Sequence, residues 1–450
     1  MPNFQPKNLP LFKASLFASA LLVLAACQPQ QPASSATTAA PATPQSSADL
    51  QMAQPESVGM DSERLARVNA RMKEFVDNGQ LAGVVTMTAR DSKIVQFDAV
   101  GYRDIAAGDP MAKDDIFRIY SMSKPITGVA MMILYEEGKF KLSDPVEKYI
   151  PEFKDLQVAA GEDADGNIIT EPPTHKMTMR ELMSHSGGLT YGLFSQSKVD
   201  DMYNDVNMLD PDSTLQDMID KLAKIPLRQQ PGSMWHYSVS VDVQGYVVEK
   251  LSGQKFSDFL EERIFEPLGM KDTDFYVPEE KADRLAQVYG YAPDGKLVAQ
   301  EGFGGSNNYL LDQAFESGGG GLVSTAMDYM RFAQMVANGG ELDGVRILAP
   351  LTVEIMHRNQ LPKSVPGIGL GARGTTFGLD FAIIEDPVEA ESYSKGEFYW
   401  GGAAGTWFWI DPVEDIVFVG MIQQFGGRTP VPDVRGASRQ AVYQAVLEPK

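Results

Sequence analysis

The chain is poor in several things. In 450 residues it has one cysteine, four histidines, and 39 Lys and Arg against 60 Asp and Glu, a formal net charge of -21. One cysteine excludes an internal disulfide and any multi-cysteine zinc site. The four histidines (His175, His185, His236 and His357) supply metal chemistry poorly, and packing and surface roles are expected of them. The shortage of basic residues argues against nucleic acid as the main partner, because phosphate binding runs on a Lys/Arg surplus. No Gly-x-Ser-x-Gly occurs, so the nucleophile elbow of α/β-hydrolases is missing. Length offsets the missing disulfides, since a chain of this size can bury a large core unaided.

No apolar run reaches the roughly 20 residues that a membrane-crossing helix needs. The run from Ala14 to Ala26 follows Lys7 and Lys13, which is the layout of a secretory signal. It ends in Leu24-Ala25-Ala26-Cys27 and there resembles a bacterial lipoprotein signal. The resemblance implies that residues 1–26 are a signal peptide and that Cys27 carries a lipid holding the protein to a membrane. With Gln28 next in line, it also implies sorting to the outer membrane of the bacterial envelope, facing the periplasm. An ordinary signal peptide with an incidental Cys27 is the alternative. Residues 27–54 are rich in Pro, Ser, Thr, Ala and Gln. They cannot bury enough surface to offset their ordering entropy, so they read as a tether. Residues 55–450 remain for the folded unit.

Along that unit, Asp61 caps a helix whose Leu65, Val68, Met72, Phe75 and Val76 share one face, ended by Asn78-Gly79. Strands are predicted at 81–89 and 94–100, joined as a hairpin, with a short extended approach at 116–120. A helix follows from Ser121 to Glu137. Residues 145–300 mix helical stretches with Pro- and Gly-containing loops. Beyond them come a helix at 326–336, a hairpin of 406–410 with 416–423, and a last helix at 435–447. The fold class expected is α+β: a mixed, largely antiparallel sheet from both chain ends, flanked by helices, with a mainly helical insertion at roughly 145–300.

A serine hydrolase without the elbow needs another base. Ser-x-x-Lys offers one, because residues i and i+3 share a helix face and a desolvated lysine can take the serine proton. The pattern occurs at Ser121/Lys124, Ser195/Lys198, Ser252/Lys255 and Ser392/Lys395. Ser195 and Ser392 lie in polar stretches, where their lysines should be solvated. Ser252 stands at a helix end beside Gly253, where the dipole disfavours an anion. Ser121 opens an apolar helix, Pro125 suits its first turn, and the helix N-terminus favours a developing oxyanion. Ser121 is therefore the candidate nucleophile.

The segment Phe117-Arg118-Ile119-Tyr120-Ser121-Met122-Ser123-Lys124-Pro125-Ile126-Thr127-Gly128 resembles the first motif of the serine β-lactamase and penicillin-binding-protein superfamily. The likeness is greatest to the class C β-lactamase-like branch that includes the family VIII carboxylesterases, and it covers nearly all of 55–450. Trp235-His236-Tyr237-Ser238 matches the second motif and implies a proton-shuttling Tyr237 beside Lys124; a core tyrosine is the alternative. Val239 departs from it, since β-lactamases and D-Ala-D-Ala peptidases usually carry Asn there. The third motif, Lys-Thr-Gly, is absent. Trp400-Gly401-Gly402-Ala403-Ala404-Gly405-Thr406 stands in its place and resembles the Trp-Gly-Gly form of family VIII esterases. The resemblance implies an oxyanion hole from the N–H groups of Ser121 and Ala403, with Trp400, Gly401, Gly402 and Ala403 contacting substrate. Met177 to Leu189 matches a recurrent family segment in which His185 reads as structural. Ser317-Gly318-Gly319-Gly320-Gly321-Leu322 reads as a turn near the cleft, because it lacks the ending of a phosphate loop.

These residues imply a serine ester hydrolase acting on small carboxylic esters, with no metal or organic cofactor. The other readings are a β-lactamase or D-Ala-D-Ala carboxypeptidase, an acyltransferase of the same family, and a non-catalytic tethered module. Oligomeric state has no sequence signal.

Overall fold

The computed structural model describes residues 50–194, 196–300, 309–369, 371–425 and 432–450. The signal, Cys27, Gln28 and most of the tether lie outside the described residues, as does Ser195. The chain is already hydrogen-bonded ahead of Pro55: Ile94 N–H donates to Gln51 O at 3.0 Å, and Ala53 N–H to Ile94 O at 2.8 Å.

Eight strands form one sheet. In chain order they are β1 (Gly83–Arg90), β2 (Lys93–Asp104), β3 (Asp109–Pro110), β4 (Thr375–Phe377), β5 (Ala382–Ile384), β6 (Phe398–Gly401), β7 (Trp407–Asp411) and β8 (Ile416–Met421). Their spatial order is β4-β5-β6-β7-β8-β1-β2-β3. Every pairing recorded in it is antiparallel. The two chain ends meet where β1 pairs with β8, Val85 opposite Met421. The β1–β2 turn is tighter than the sequence suggests. Asp91 and Ser92 alone make it, with φ 52° and 57°, the double left-handed conformation that matches strand twist.

Period-two patterning places the core on both faces. Trp407, Trp409 and Phe418 point to one face, where they meet Val68, Met72 and Phe75 of α1 (Arg67–Asp77) and Val442 at the C-terminus. Phe408, Ile410, Val417 and Val419 point to the other, larger core. There α2 (Ser123–Glu136) is buried at every position from Ser123 to Leu134, as befits a helix apolar on all sides. It packs beside α3 (Ser240–Ser252) and α4 (Ala326–Ala337). The last helix, α5 (Val434–Tyr443), flanks the first face. The region 145–300 holds helices as expected, and also two small hairpins, Val158–Glu162 with Ile168–Glu171 and Val288–Tyr291 with Leu297–Gln300. Val288–Tyr291 is mostly buried, and the other three strands are largely exposed.

Arg90, 1% exposed, ends β1 and joins the segment at Val58 to the C-terminal segment at Glu448. Its guanidinium donates to Val58 O at 2.9 Å, Glu448 O at 2.9 Å, Glu414 O at 3.1 Å and the Glu414 carboxylate at 2.8 Å. Removing one partner of a buried ion pair strands the other, at about 3–5 kcal/mol. Arg90→Ala should lower unfolding free energy by that order, read from a denaturant titration of the purified protein. A loss below about 1 kcal/mol would show that the clamp is not structural.

Candidate active site

Ser121 sits in a 3₁₀ turn, Tyr120–Met122, immediately before α2 rather than within it. Tyr120 has φ 43°, a left-handed value costly for a bulky residue. The surroundings hold it there. Its ring makes edge contacts with Tyr309 and Phe425, at centroid distances of 6.2 and 5.6 Å. Before the turn, Phe117–Arg118 pairs with Val323–Ser324, and the Gln423 amide bonds both the N–H and the C=O of Arg118, each at 3.0 Å. After it, Tyr329 Oη donates to Met122 O at 3.0 Å. The serine is thus presented by a bend pinned on both sides.

Lys124, fully buried in the first turn of α2, has Nζ 3.2 Å from Ser121 Oγ, 3.0 Å from Tyr191 Oη and 2.5 Å from Gly319 O. Tyr237 Oη donates to Ser121 Oγ at 2.7 Å and receives Trp400 Nε1–H at 3.3 Å. The Tyr237 ring stacks on Trp235 with an interplanar angle of 16°, and Lys124 Nζ lies 4.6 Å from its centroid. So the structure gathers Ser121, Lys124, Tyr237 and Trp400 into one hydrogen-bonded group.

The strand edge carrying the glycines reaches the same place. Gly402 and Ala403 follow β6, and a Cβ on Gly402 would fall 2.4 Å from Ile119 O. Only glycine lets the edge approach the serine bend so closely. Ser121 and Ala403 line one cavity of about 150 Å³ with Tyr191, Phe194, Phe275 and Phe315. Among the described residues, no protein acceptor is recorded for the backbone N–H of Ser121 or Ala403, and the lining includes no Asp, Glu, Lys or Arg. Of the four residues expected to contact substrate, Ala403 lines this cavity, whereas Trp400, Gly401 and Gly402 do not; Trp400 reaches it only through Tyr237 Oη. Gly401 pairs with Trp407 and lies under the Arg435 guanidinium.

The other Ser-x-x-Lys lysines stand elsewhere. Lys198 pairs with Glu162 at 3.3 Å, Lys255 with Glu316 at 2.5 Å, and Lys395 is exposed. His185 is buried with φ 55°, its Nδ1 3.0 Å from Ser238 Oγ and its ring against Trp235, Tyr237 and Phe377. Burial, with Lys124 nearby, holds its pKa well below the usual 6.5, which fits a packing role. Val239 is buried at the N-cap of α3, its N–H on Thr190 O at 3.2 Å.

Three contributors were not singled out from the sequence. Tyr191 stands two residues beyond the family segment ending at Leu189. Asp242, an acid amid the apolar first turn of α3, would have signalled itself as a buried charge. Its Oδ1 accepts from Gly319 N–H at 3.1 Å and from the Ser317 hydroxyl. The Gly318–Gly321 turn lies in the cleft as expected, and in addition supplies the Gly319 carbonyl to Lys124. The third contributor, the buried acid Asp380, has φ 64°, accepts from Gln244 at 3.1 Å and packs against Gly128 of α2. Burial drives its pKa well above the usual value.

The sequence matches the family profile described as Beta-lactamase over residues 68–443. A Mycobacterium tuberculosis protein is 36% identical over 364 residues, covering 79% of this chain and 88% of its own. Esterase EstB of Burkholderia gladioli is 30% identical over 377 residues, covering 79% of this chain and 89% of its own. The solved structure of EstCE1, a hydrolase with promiscuous acyltransferase activity, superposes with TM-score 0.72 at 28% identity, covering 85% of this chain and 99% of that one.

Two outcomes are expected. A methyl group on Gly402 should force the edge away from Ile119. Gly402→Ala should cost about 1–3 kcal/mol of stability, read by thermal unfolding, and an unchanged melting point would contradict the close approach. His236, beside Tyr237, has its pKa lowered by burial to about 4. The unfolded chain then binds the extra proton first, so stability is full above pH 6.5 and falls as pH drops from 6.5 toward 4. Melting points across that window should decline less in His236→Gln than in the parent.

Proposed function

The chain belongs to the serine β-lactamase family, and from that premise we propose that it hydrolyses small carboxylic esters through an acyl-enzyme on Ser121. The observation that carries this reading is the Ser121 hydroxyl held between Lys124 Nζ and Tyr237 Oη, at 3.2 and 2.7 Å, at the mouth of an uncharged cavity.

The chemistry follows from the contacts. Lys124 takes the Ser121 proton as Oγ attacks the ester carbonyl. The N–H groups of Ser121 and Ala403 receive the charge that develops on the carbonyl oxygen. Tyr237 delivers a proton to the departing alkoxide, and Trp400 Nε1–H keeps the phenol oxygen oriented. Water then attacks the acyl-enzyme, gives its proton to the same pair, and the acid leaves with Ser121 restored. The relatives support this reading: one is named an esterase and another a lovastatin esterase. The lining of aromatic and aliphatic side chains favours a neutral, apolar ester.

One observation favours a second reading, a β-lactam or D-Ala-D-Ala substrate. The Arg435 guanidinium lies over Gly401 and lines, with Ala403, a neighbouring cavity, which offers a cation for a substrate carboxylate reaching past Ala403. Trp400 in place of the third-motif lysine opposes it. Rates on p-nitrophenyl butyrate, nitrocefin and a D-Ala-D-Ala peptide decide between them. The ester should be turned over at least about 100-fold faster in kcat/KM, a transition-state preference near 2.7 kcal/mol. Faster nitrocefin turnover would reverse the assignment. Ser121→Ala should remove ester turnover while the protein stays folded, and undiminished turnover would refute the mechanism.

The sequence alone supports the envelope address. We infer that Cys27 carries the lipid anchor, with the protein at the outer membrane. Cys27→Ser should abolish incorporation of labelled palmitate in a Gram-negative host; retained label would refute it.

A further inference from the structure

Resting on the ester-hydrolase reading, we propose that Tyr191 and Asp242 form a positioning pair that aims the lone pair of Lys124 at Ser121. A neutral lysine amine has two N–H bonds and one lone pair. To accept the Ser121 proton, both N–H bonds must find acceptors elsewhere. Gly319 O, at 2.5 Å, and Tyr191 Oη, at 3.0 Å, are those acceptors. The remaining direction is toward Ser121 Oγ.

One carboxyl group governs both acceptors. Asp242 Oδ1 takes the Gly319 N–H at 3.1 Å and the Ser317 hydroxyl, which fixes the residue whose carbonyl meets Lys124. Asp242 Oδ2 is buried and has no other hydrogen-bond partner among the described residues. It crowds the same side of Gly319 as Tyr191: a Cβ there would fall 2.6 Å from Asp242 Oδ2 and 2.8 Å from Tyr191 Oη. For Tyr191 oxygen to accept from Lys124, its own hydrogen must point away, and Asp242 Oδ2 is the vacant acceptor beside it. Burial, with Asp242 adjacent, keeps that phenol protonated. The same acid faces Lys124 when the proton arrives, so the ammonium forms next to a counter-charge.

The prediction concerns rate rather than substrate affinity. The titratable groups around Lys124 are Tyr191 and His185 from the loop after Met183, Tyr237 and Asp242 at the start of α3, and Asp380 between β4 and β5. Tyr191→Phe should slow fluorophosphonate labelling of Ser121 by about 10- to 100-fold, part of what a positioned base contributes. It should lower kcat on p-nitrophenyl butyrate alike, with KM within about threefold. Asp242→Asn preserves the Oδ1 acceptor and removes the Oδ2 acceptor, so it should copy Tyr191→Phe. The double variant should be no slower than the slower single variant within about threefold. Melting points of all three check that they fold. Labelling at the parental rate in folded Tyr191→Phe, or single effects that multiply in the double variant, overturns the pair. The labelling arm does not depend on the substrate. Absent ester turnover with Ser121 labelling slowed as stated would overturn the ester reading and leave the pair standing.

Discussion

A lysine side chain with no exposure to solvent is the constraint on which the active site depends. An amine removed from water must have its hydrogens accepted, or its burial costs several kcal/mol. Lys124 meets that demand with acceptors from two distant stretches of chain, Tyr191 from the loop after the Met179–Met183 helix and Gly319 from the glycine turn, while Ser121 lies one turn back. Each partner is held in turn. The glycine turn is tied to α2 by Leu322 N–H on Ser123 Oγ at 3.1 Å and by Thr127 Oγ1 on Gly318 O at 2.8 Å. A single buried amine therefore ties together the start of α2, the loop carrying Tyr191 and the glycine turn.

The aromatic surroundings serve the same end. Tyr237 is contacted by the rings of His185, Tyr191, Phe194, Trp235 and Trp400, at centroid distances from 5.0 to 5.9 Å. These rings exclude water and leave the phenol one main freedom, the rotation of its hydroxyl. Exclusion of water strengthens each charge–dipole contact around Ser121. It also confines polar recognition to the few groups that face the cavity.

Much of this was legible in the sequence where chemistry is local. Ser121 and Lys124 are one helical turn apart, and the apolar run behind them fixes a buried helix. The hairpin of Trp407–Asp411 with Ile416–Met421 shows in its alternation. Tyr237, Trp400 and Ala403 were legible through resemblance, since no periodicity links them to Ser121. Tyr191 and Asp242 were not singled out because their meaning comes from tertiary neighbours. An acid in an apolar helix turn cannot be assigned until the opposing loop is placed. The 3₁₀ turn at Ser121 was read as helix because Tyr120 adopts a conformation that its own side chain disfavours. The hairpins within 145–300 escaped because strands such as Ile168–Glu171 and Leu297–Gln300 are mostly exposed and lack a buried alternate face.

The pairing of β1 with β8 has a consequence in time. Val85 meets Met421, and the edge bearing Ala403 hangs from β7 and β8. Contacts so far apart in the chain form late, after the long loop between them is closed. Ser121 is made early in synthesis, yet the Ala403 side of its site cannot assemble until the last strands arrive. A growing chain therefore holds Ser121 and Lys124 before the strand edge that closes over them exists, and the site is complete only when both ends of the sheet have paired.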